Sequence, residues 1–386
     1  MTSNTLQSRY TAVRGRSVAL AAPLSPEDCS AQSMPDASPT KWHLAHTTWF
    51  FETFILERAE PGFQPFDPAY RVLFNSYYQG VGEQHPRPQR GLVTRPGLAE
   101  VRAYRANVDT RIAALLSRTD RPELRELMEL GLQHEQQHQE LLLTDIKHLL
   151  AMNPLHPVYH PQWPLSSVVA TPVDWVEYAG GIAQVGHAGA GFGFDNEAPR
   201  HAALLRPYAL ANRLVTHGDW LAFMDGGGYR DPRWWMAAGW DWVQAQGVEA
   251  PLYWQATDSG WTNFTLHGRV PLDPHTPVVH ISWFEADAYA RWSAAQQGAP
   301  YAVHADARCN SGTKCVHGRL SPSDRGSPAC PVIPQPVSVS PHAFRYASRV
   351  YVTAASAPFA KAIVSLSNCG INVTRARQSG QNRLMP

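Results

Sequence analysis

The sequence predicts an α+β protein in two parts, an N-terminal four-helix bundle followed by a loop-rich mixed domain. Three observations carry this. Residues up to about 152 fall into long helical runs separated by Pro-rich loops. From Pro172 the texture changes to short β-like runs, Gly pairs and aromatics, as in Trp175-Val-Glu-Tyr-Ala-Gly-Gly181. At 386 residues the chain is also too long for one simple core, so two domains or more are expected.

Taken in order, residues 6–22 read as a helix that stops near Pro23. Ser25-Pro26-Glu-Asp has the pattern of a helix start, with Ser as cap and Pro in the first turn. Ser38-Pro39 repeats that signature and opens a second helix, from Thr40 to about Glu60. Within it Trp42, Ala45, His46 and Trp49 form one stripe, which turns His46 inward; the periodicity does not exclude His43. After Asn75-Ser-Tyr-Tyr78 comes the loop Glu83–Gly91, too rich in Pro for regular structure. Gly97 to Ser117 is the third long helix.

The fourth helix, roughly Arg121 to Met152, contains Gly131-Leu-Gln-His134-Glu-Gln-Gln137-His138-Gln-Glu140. His134 and His138 are four apart and project from one face, which continues through Leu127, Gly131, Leu141 and Asp145. Two neutral imidazoles at this spacing can grip one divalent metal. The alternative is a buried pair bonded to its neighbours. A third ligand must come from elsewhere, and His46 on a facing helix of an antiparallel bundle is the natural one.

Residues 153–172 are a Pro-rich linker between a bundle at 1–152 and a mixed domain at 173–300. That domain has two clear helices, one from Thr216 to Met224 opened by the caps Thr216 and Asp219, and one from Trp283 to Trp292. Composition is otherwise ordinary, with 44% hydrophobic and 17% charged residues and a formal charge of +1, and no run of eighteen apolar residues occurs. The first residues lack a secretory apolar core, and five cysteines make no disulfide framework, so a cytoplasmic location is expected.

The average hides a break near residue 300. All thirteen Trp precede it, and four of the five Cys follow it. Residues 301–386 carry a net charge of +8 against −7 for the rest. The basic charges are scattered without aromatic interleaving, which argues against a nucleic-acid arm. Cys309, Cys315, His317 and Cys330 lack zinc spacing, and the sequon Asn372-Val-Thr374 has no signal peptide before it.

Ser38-Pro-Thr-Lys-Trp-His-Leu-Ala-His46, Phe74-Asn-Ser-Tyr-Tyr78, His85-Pro-Arg-Pro-Gln-Arg-Gly91 and His134-Glu-Gln-Gln-His-Gln-Glu140 together resemble the iron-dependent sulfoxide synthases of ergothioneine biosynthesis. Those enzymes join a DinB-like four-helix bundle to a domain like the formylglycine-generating enzyme, a C-type-lectin-like fold. Asp195-Asn-Glu-Ala-Pro-Arg200, Arg233-Trp-Trp, Gly239-Trp-Asp-Trp242 and the stretch from Pro277 to Trp292 are similar to that second domain. The resemblance covers about residues 8–295.

It implies Fe(II) held by His46, His134 and His138, with Gln137 contacting an imidazole-bearing substrate. Arg87 and Arg90 match the basic loop that holds the thiol substrate's carboxylate. The implied reaction joins the sulfur of cysteine or γ-glutamylcysteine to C2 of the hercynine imidazole, with O2 as oxidant and a sulfoxide as product. Zinc or copper would also accept three imidazoles. Arg offers a bidentate fork for a carboxylate, although most loop charges are simply solvated. His43, Glu140 and His148 are candidates for supporting roles.

After Trp292 the family pattern stops: Ser-Ala-Ala-Gln-Gln-Gly-Ala-Pro-Tyr-Ala-Val-His304 follows, and the expected Tyr proton donor is not found. A frameshifted or replaced C-terminus is expected after about 295. With it come an intact metal bundle, a compromised active site and exposed apolar surface on an incomplete second domain. The other readings are a selenium-transferring relative acting on hercynine, a metal- or hercynine-binding remnant without turnover, and a metal-dependent thiol S-transferase.

Overall fold

The computed structural model describes residues 3–76, 78–118, 121–161, 169–297, 301–304 and 316–320. Four long helices form the first domain: α1 (Ser3–Ala21), α2 (Thr40–Phe51), α3 (Leu98–Arg118) and α4 (Pro122–Ala151). Helix α2 is buried along its whole length, and the chain continues through a π-helical turn at Glu52–Leu56 and a last turn at Glu57–Ala59. Leu, Met, Glu and Gln favour α4 throughout its thirty residues. Trp49, Phe51, Tyr104, Met128 and Leu132 fill the core between the helices.

A set of paired charges lies inside that apolar core, and Arg14 links it to the half-buried Asp109 at 2.7 Å. Glu135 is fully buried and accepts hydrogen bonds from Arg14 at 2.9 Å, Arg105 at 2.9 Å and the Ser17 hydroxyl at 2.6 Å. Burial alone would drive this carboxyl upward, but the charges of Arg14 and Arg105 and the Ser17 bond together outweigh it and hold it at about 2. Arg105 also donates to the Leu44 carbonyl of α2, so all four long helices are tied through two guanidinium groups.

Two cap expectations fail. Ser25 and Asp28 do exchange reciprocal bonds, but only a turn follows them, not a helix. Ser38 does not cap α2: Pro39 stands at the boundary, and no side chain bonds the first turn. The Ser38 N–H donates to Asp145 instead, and its hydroxyl accepts from Arg90. Both polar groups are drawn into tertiary contacts instead of a local cap.

The second domain contains an antiparallel four-stranded sheet in the order β1-β4-β9-β8, formed by Trp175–Tyr178 (β1), Tyr208–Ala211 (β4), Val316–Leu320 (β9) and Tyr301–His304 (β8). Gly181–Val185 (β2) pairs with His201–Leu205 (β3). Trp254–Thr257 (β5), Gly260–Thr265 (β6) and Gly268–Pro271 (β7) make a meander. Its helices are α5 (His217–Asp225), α6 (Ala237–Gln246) and α7 (Trp283–Gln297). The predicted start of α5 is correct, with Thr216 and Asp219 forming a reciprocal capping box. Trp220, Phe223, Tyr229, Trp235, Phe284 and Tyr289 supply the core.

The domains meet through the linker. The Tyr159 hydroxyl donates to the Leu20 carbonyl at 2.6 Å, its N–H donates to Leu266, and Phe264 of β6 joins the bundle's core. Exposed apolar surface is present as expected, on β2 and β3, where the paired Ile182 and Leu204 are 78% and 79% exposed. Two tail segments, β8 and β9, form strands. Tyr77, Cys309, Cys315, Cys330, the sequon at 372–374 and the side chain of His317 lie outside the described residues.

Candidate metal centre

Helices α2 and α4 pack face to face, and their inward stripes meet at three imidazoles. Each of His46, His134 and His138 offers one ring nitrogen, and these atoms lie within 4.8 Å of one another. His46 and His134 are buried and His138 is half-buried. The one-face placement of the α4 pair and the inward turn of His46 are as the sequence predicts. Gly131 clears the space one turn earlier: a Cβ there would stand 2.6 Å from a ring carbon of Phe51. The Phe50 ring beside it packs on His134, with ring centres 4.9 Å apart.

The His46 ring is clamped between two indoles. Trp42 stacks on it at 4.5 Å and 11°, and Trp49 lies at 5.5 Å and 16°. Its Nδ1 is 2.6 Å from the Phe74 carbonyl oxygen. A carbonyl only accepts, so Nδ1 carries the hydrogen and Nε2 is left with a free lone pair. That Nε2 is 3.2 Å from Nε2 of His134, whose own Nδ1 is buried without a partner. A buried polar atom without a partner is costly. A cation held where the rings converge would take one nitrogen from each ring, so the donor set fits a metal with nitrogen ligands.

Electrostatics favour the ligand form of each ring. Burial, the largest effect, pushes His134 down to about 4. Burial and then the neighbouring imidazoles hold His46 and His138 well below their ordinary value. All three are therefore neutral at physiological pH, as metal ligands must be.

The two loop arginines differ. Arg87 is exposed, and its guanidinium donates to the Asp36 carbonyl. Arg90 is buried and stacks 3.4 Å over the Trp42 ring, which in turn stacks on His46. It donates to the Ser38 hydroxyl at 2.9 Å and the Ser76 hydroxyl at 3.2 Å. No carboxylate among the described residues forms an ion pair with it, and burial together with the Arg87 charge pushes it down to about 9. Gln137 is half-buried beside His138.

Sequence reasoning left His43 open and gave Asp145 no role. In the fold His43 Nδ1 is 2.9 Å from His138 Nδ1, and His43 Nε2 is 3.1 Å from the Asp145 carboxylate. The signal for Asp145 was an acid on the otherwise apolar histidine face, seven residues beyond His138. The Phe74 carbonyl is a backbone group that no side-chain pattern reports. Of the other candidates, Glu140 is exposed and His148 bonds Ser33 at 2.7 Å. The region searched for a Tyr proton donor lies largely outside the described residues.

The DinB superfamily matches residues 9–142, and the sulfatase-modifying factor enzyme 1-like domain family matches residues 166–316. The second match runs beyond the expected limit near 295. Hercynine oxygenase of Mycolicibacterium thermoresistibile is 32% identical over 271 residues, covering 68% of this chain and 57% of the relative. Hercynine oxygenase of Mycobacterium tuberculosis is 32% identical over 275 residues, covering 68% of this chain and 60% of the relative. Formylglycine-generating enzyme of Streptomyces coelicolor is 33% identical over 130 residues, 31% of this chain and 41% of that protein. The matched region thus spans under two thirds of each hercynine oxygenase.

Proposed function

We propose, for a chain that joins a DinB-superfamily bundle to a sulfatase-modifying-factor-like domain and resembles ergothioneine sulfoxide synthases, that it is a non-haem iron sulfoxide synthase acting on hercynine. The thiol of cysteine or γ-glutamylcysteine would be joined to C2 of the hercynine imidazole. The single observation that carries the reading is the convergence of His46, His134 and His138 within 4.8 Å at the heart of the bundle. Bound there, Fe(II) would supply the redox chemistry that activates O2.

The overall reaction balances: the imidazole C–H and the thiol S–H are lost, and a C–S bond forms. One oxygen atom of O2 becomes the sulfoxide oxygen, and the other leaves as water with the two hydrogens. The protein's part is to hold and to exclude. Trp42, Trp49 and the Phe74 carbonyl fix the His46 ring, while the buried setting of His46 and His134 keeps bulk water away. Arg90 presents a positive charge with no described carboxylate paired to it, and Arg87 adds a second at the surface; both suit a carboxylate-bearing thiol. Gln137 would contact the imidazole substrate.

The test is anaerobic loading with Fe(II), then O2 uptake with hercynine plus each thiol and mass detection of the product. Sulfoxide formed by the wild type and lost in His134→Ala is the expected result. Iron bound at one per chain without product would replace this reading with a binding remnant. No iron bound would refute the ligand assignment.

A further inference from the structure

We propose that His43 is a positioning residue: held by Asp145, it fixes the tautomer of His138 and so leaves His138 Nε2 free to bind a metal. The inference rests on the three-histidine reading above. An ionised carboxylate can only accept hydrogen bonds. Asp145 Oδ2 accepts the Ser38 N–H at 2.9 Å and faces His43 Nε2 at 3.1 Å, so that ring nitrogen carries the hydrogen. When the His43 ring carries a single N–H, its Nδ1 is left a bare acceptor. It stands 2.9 Å from His138 Nδ1, which must therefore donate.

With its hydrogen committed on Nδ1, His138 keeps its lone pair on Nε2. The opposite arrangement would set the bare His43 Nε2 against the carboxylate. It would also place the hydrogen of His138 on Nε2, the ring nitrogen that does not face His43. His43 is 3% and Asp145 6% exposed, so water cannot easily rescue that alternative. The three candidate ligands are then held in three ways: His46 by a backbone carbonyl, His138 by a histidine–aspartate relay, and His134 by the Phe50 ring, with no partner on its Nδ1.

The test uses the metal-free full chain and Co(II) at pH 8, where an ordinary imidazole is neutral. Two-dimensional NMR of protein labelled with 15N-histidine reads the tautomer of each ring. Competition with a chelator gives the Co(II) affinity, and visible absorption gives the ligand field. The wild type should show His138 in the Nδ1–H form. His43→Leu should weaken Co(II) binding roughly 10- to 100-fold and alter the spectrum. His43→Gln, whose amide can both accept from His138 and donate to Asp145, should bind within a few-fold of wild type.

Thermal melts of each variant separate loss of fold from loss of tautomer. If His43→Leu does not fold, the tautomer in the unmutated protein still decides: His138 in its Nε2–H form overturns the proposal. Wild-type affinity and spectrum in a folded His43→Leu overturn it too. A wild type that binds no Co(II) would instead defeat the three-histidine reading.

Discussion

Both domains bury aromatic rings, but among the described residues only the bundle pairs a deeply buried carboxylate with arginines, and only the second domain leaves a pair of large apolar strand residues in solvent. The bundle places Arg14, Arg105 and Glu135 in its interior and satisfies the carboxylate with named donors from separate elements. The second domain builds its core from Trp, Tyr and Phe, and leaves Ile182 and Leu204 in solvent at its edge. A metal centre needs rings held to fractions of an ångström, and only the first arrangement leaves the backbone so few alternatives. The difference teaches where chemistry can be placed: in a core whose aromatic rings are interlocked with paired charges rather than beside an open flank.

The strongest way to break this contrast is Glu135→Leu, which leaves buried Arg105 without its carboxylate and Arg14 with Asp109 alone. The expected cost is about 3–5 kcal/mol. Far-UV circular dichroism would follow the helices, while fluorescence follows mainly the second domain, since only Trp42 and Trp49 belong to the bundle. A loss confined to fluorescence would contradict the account.

Acid removes the same interaction without mutation. Glu135 is held at about 2 against an ordinary 4.5, so the unfolded chain binds the proton more readily between those values. Its stabilisation is complete above pH 4.5 and is lost as pH falls toward 2. Denaturant titrations at stepped pH should show that fall for the helical signal, and a flat response there would be contrary.

A smaller effect is expected from Gly131→Ala, because the new methyl would press on Phe51 and Phe50. Overpacking of this kind costs about 1–3 kcal/mol, outweighing any gain in helix propensity. It should also weaken metal binding, since Phe50 packs on His134. Calorimetry with and without metal checks both. The smallest effect sharpens the other side of the comparison: Leu204→Ser on the exposed strand should change stability by no more than about 0.5 kcal/mol. A cost several times larger would mean that this face is covered.

Much of this was legible in advance because period and punctuation coincide with burial. The four long helices, the shared face of His134 and His138 and the inward turn of His46 all follow from spacing. The failures differ in cause: Ser25 closes a local turn with Asp28. Ser25 and Ser38 both carried a helix-start signature, but the Ser38 groups are spent on Asp145 and Arg90, partners far away in sequence. The support of His46 by the Phe74 carbonyl and of His138 by His43 and Asp145 depends on how helices meet, which no local pattern encodes. Arg87 and Arg90 looked alike in one loop, yet one is exposed and the other is stacked against Trp42.

The most direct measurement is an anaerobic Fe(II) titration of the wild type beside His46→Ala, His134→Ala and His138→Ala. The account predicts one iron per wild-type chain, and each single substitution sharply weakening binding while the fold persists. Iron bound equally well by all four proteins, or by none, would contradict it.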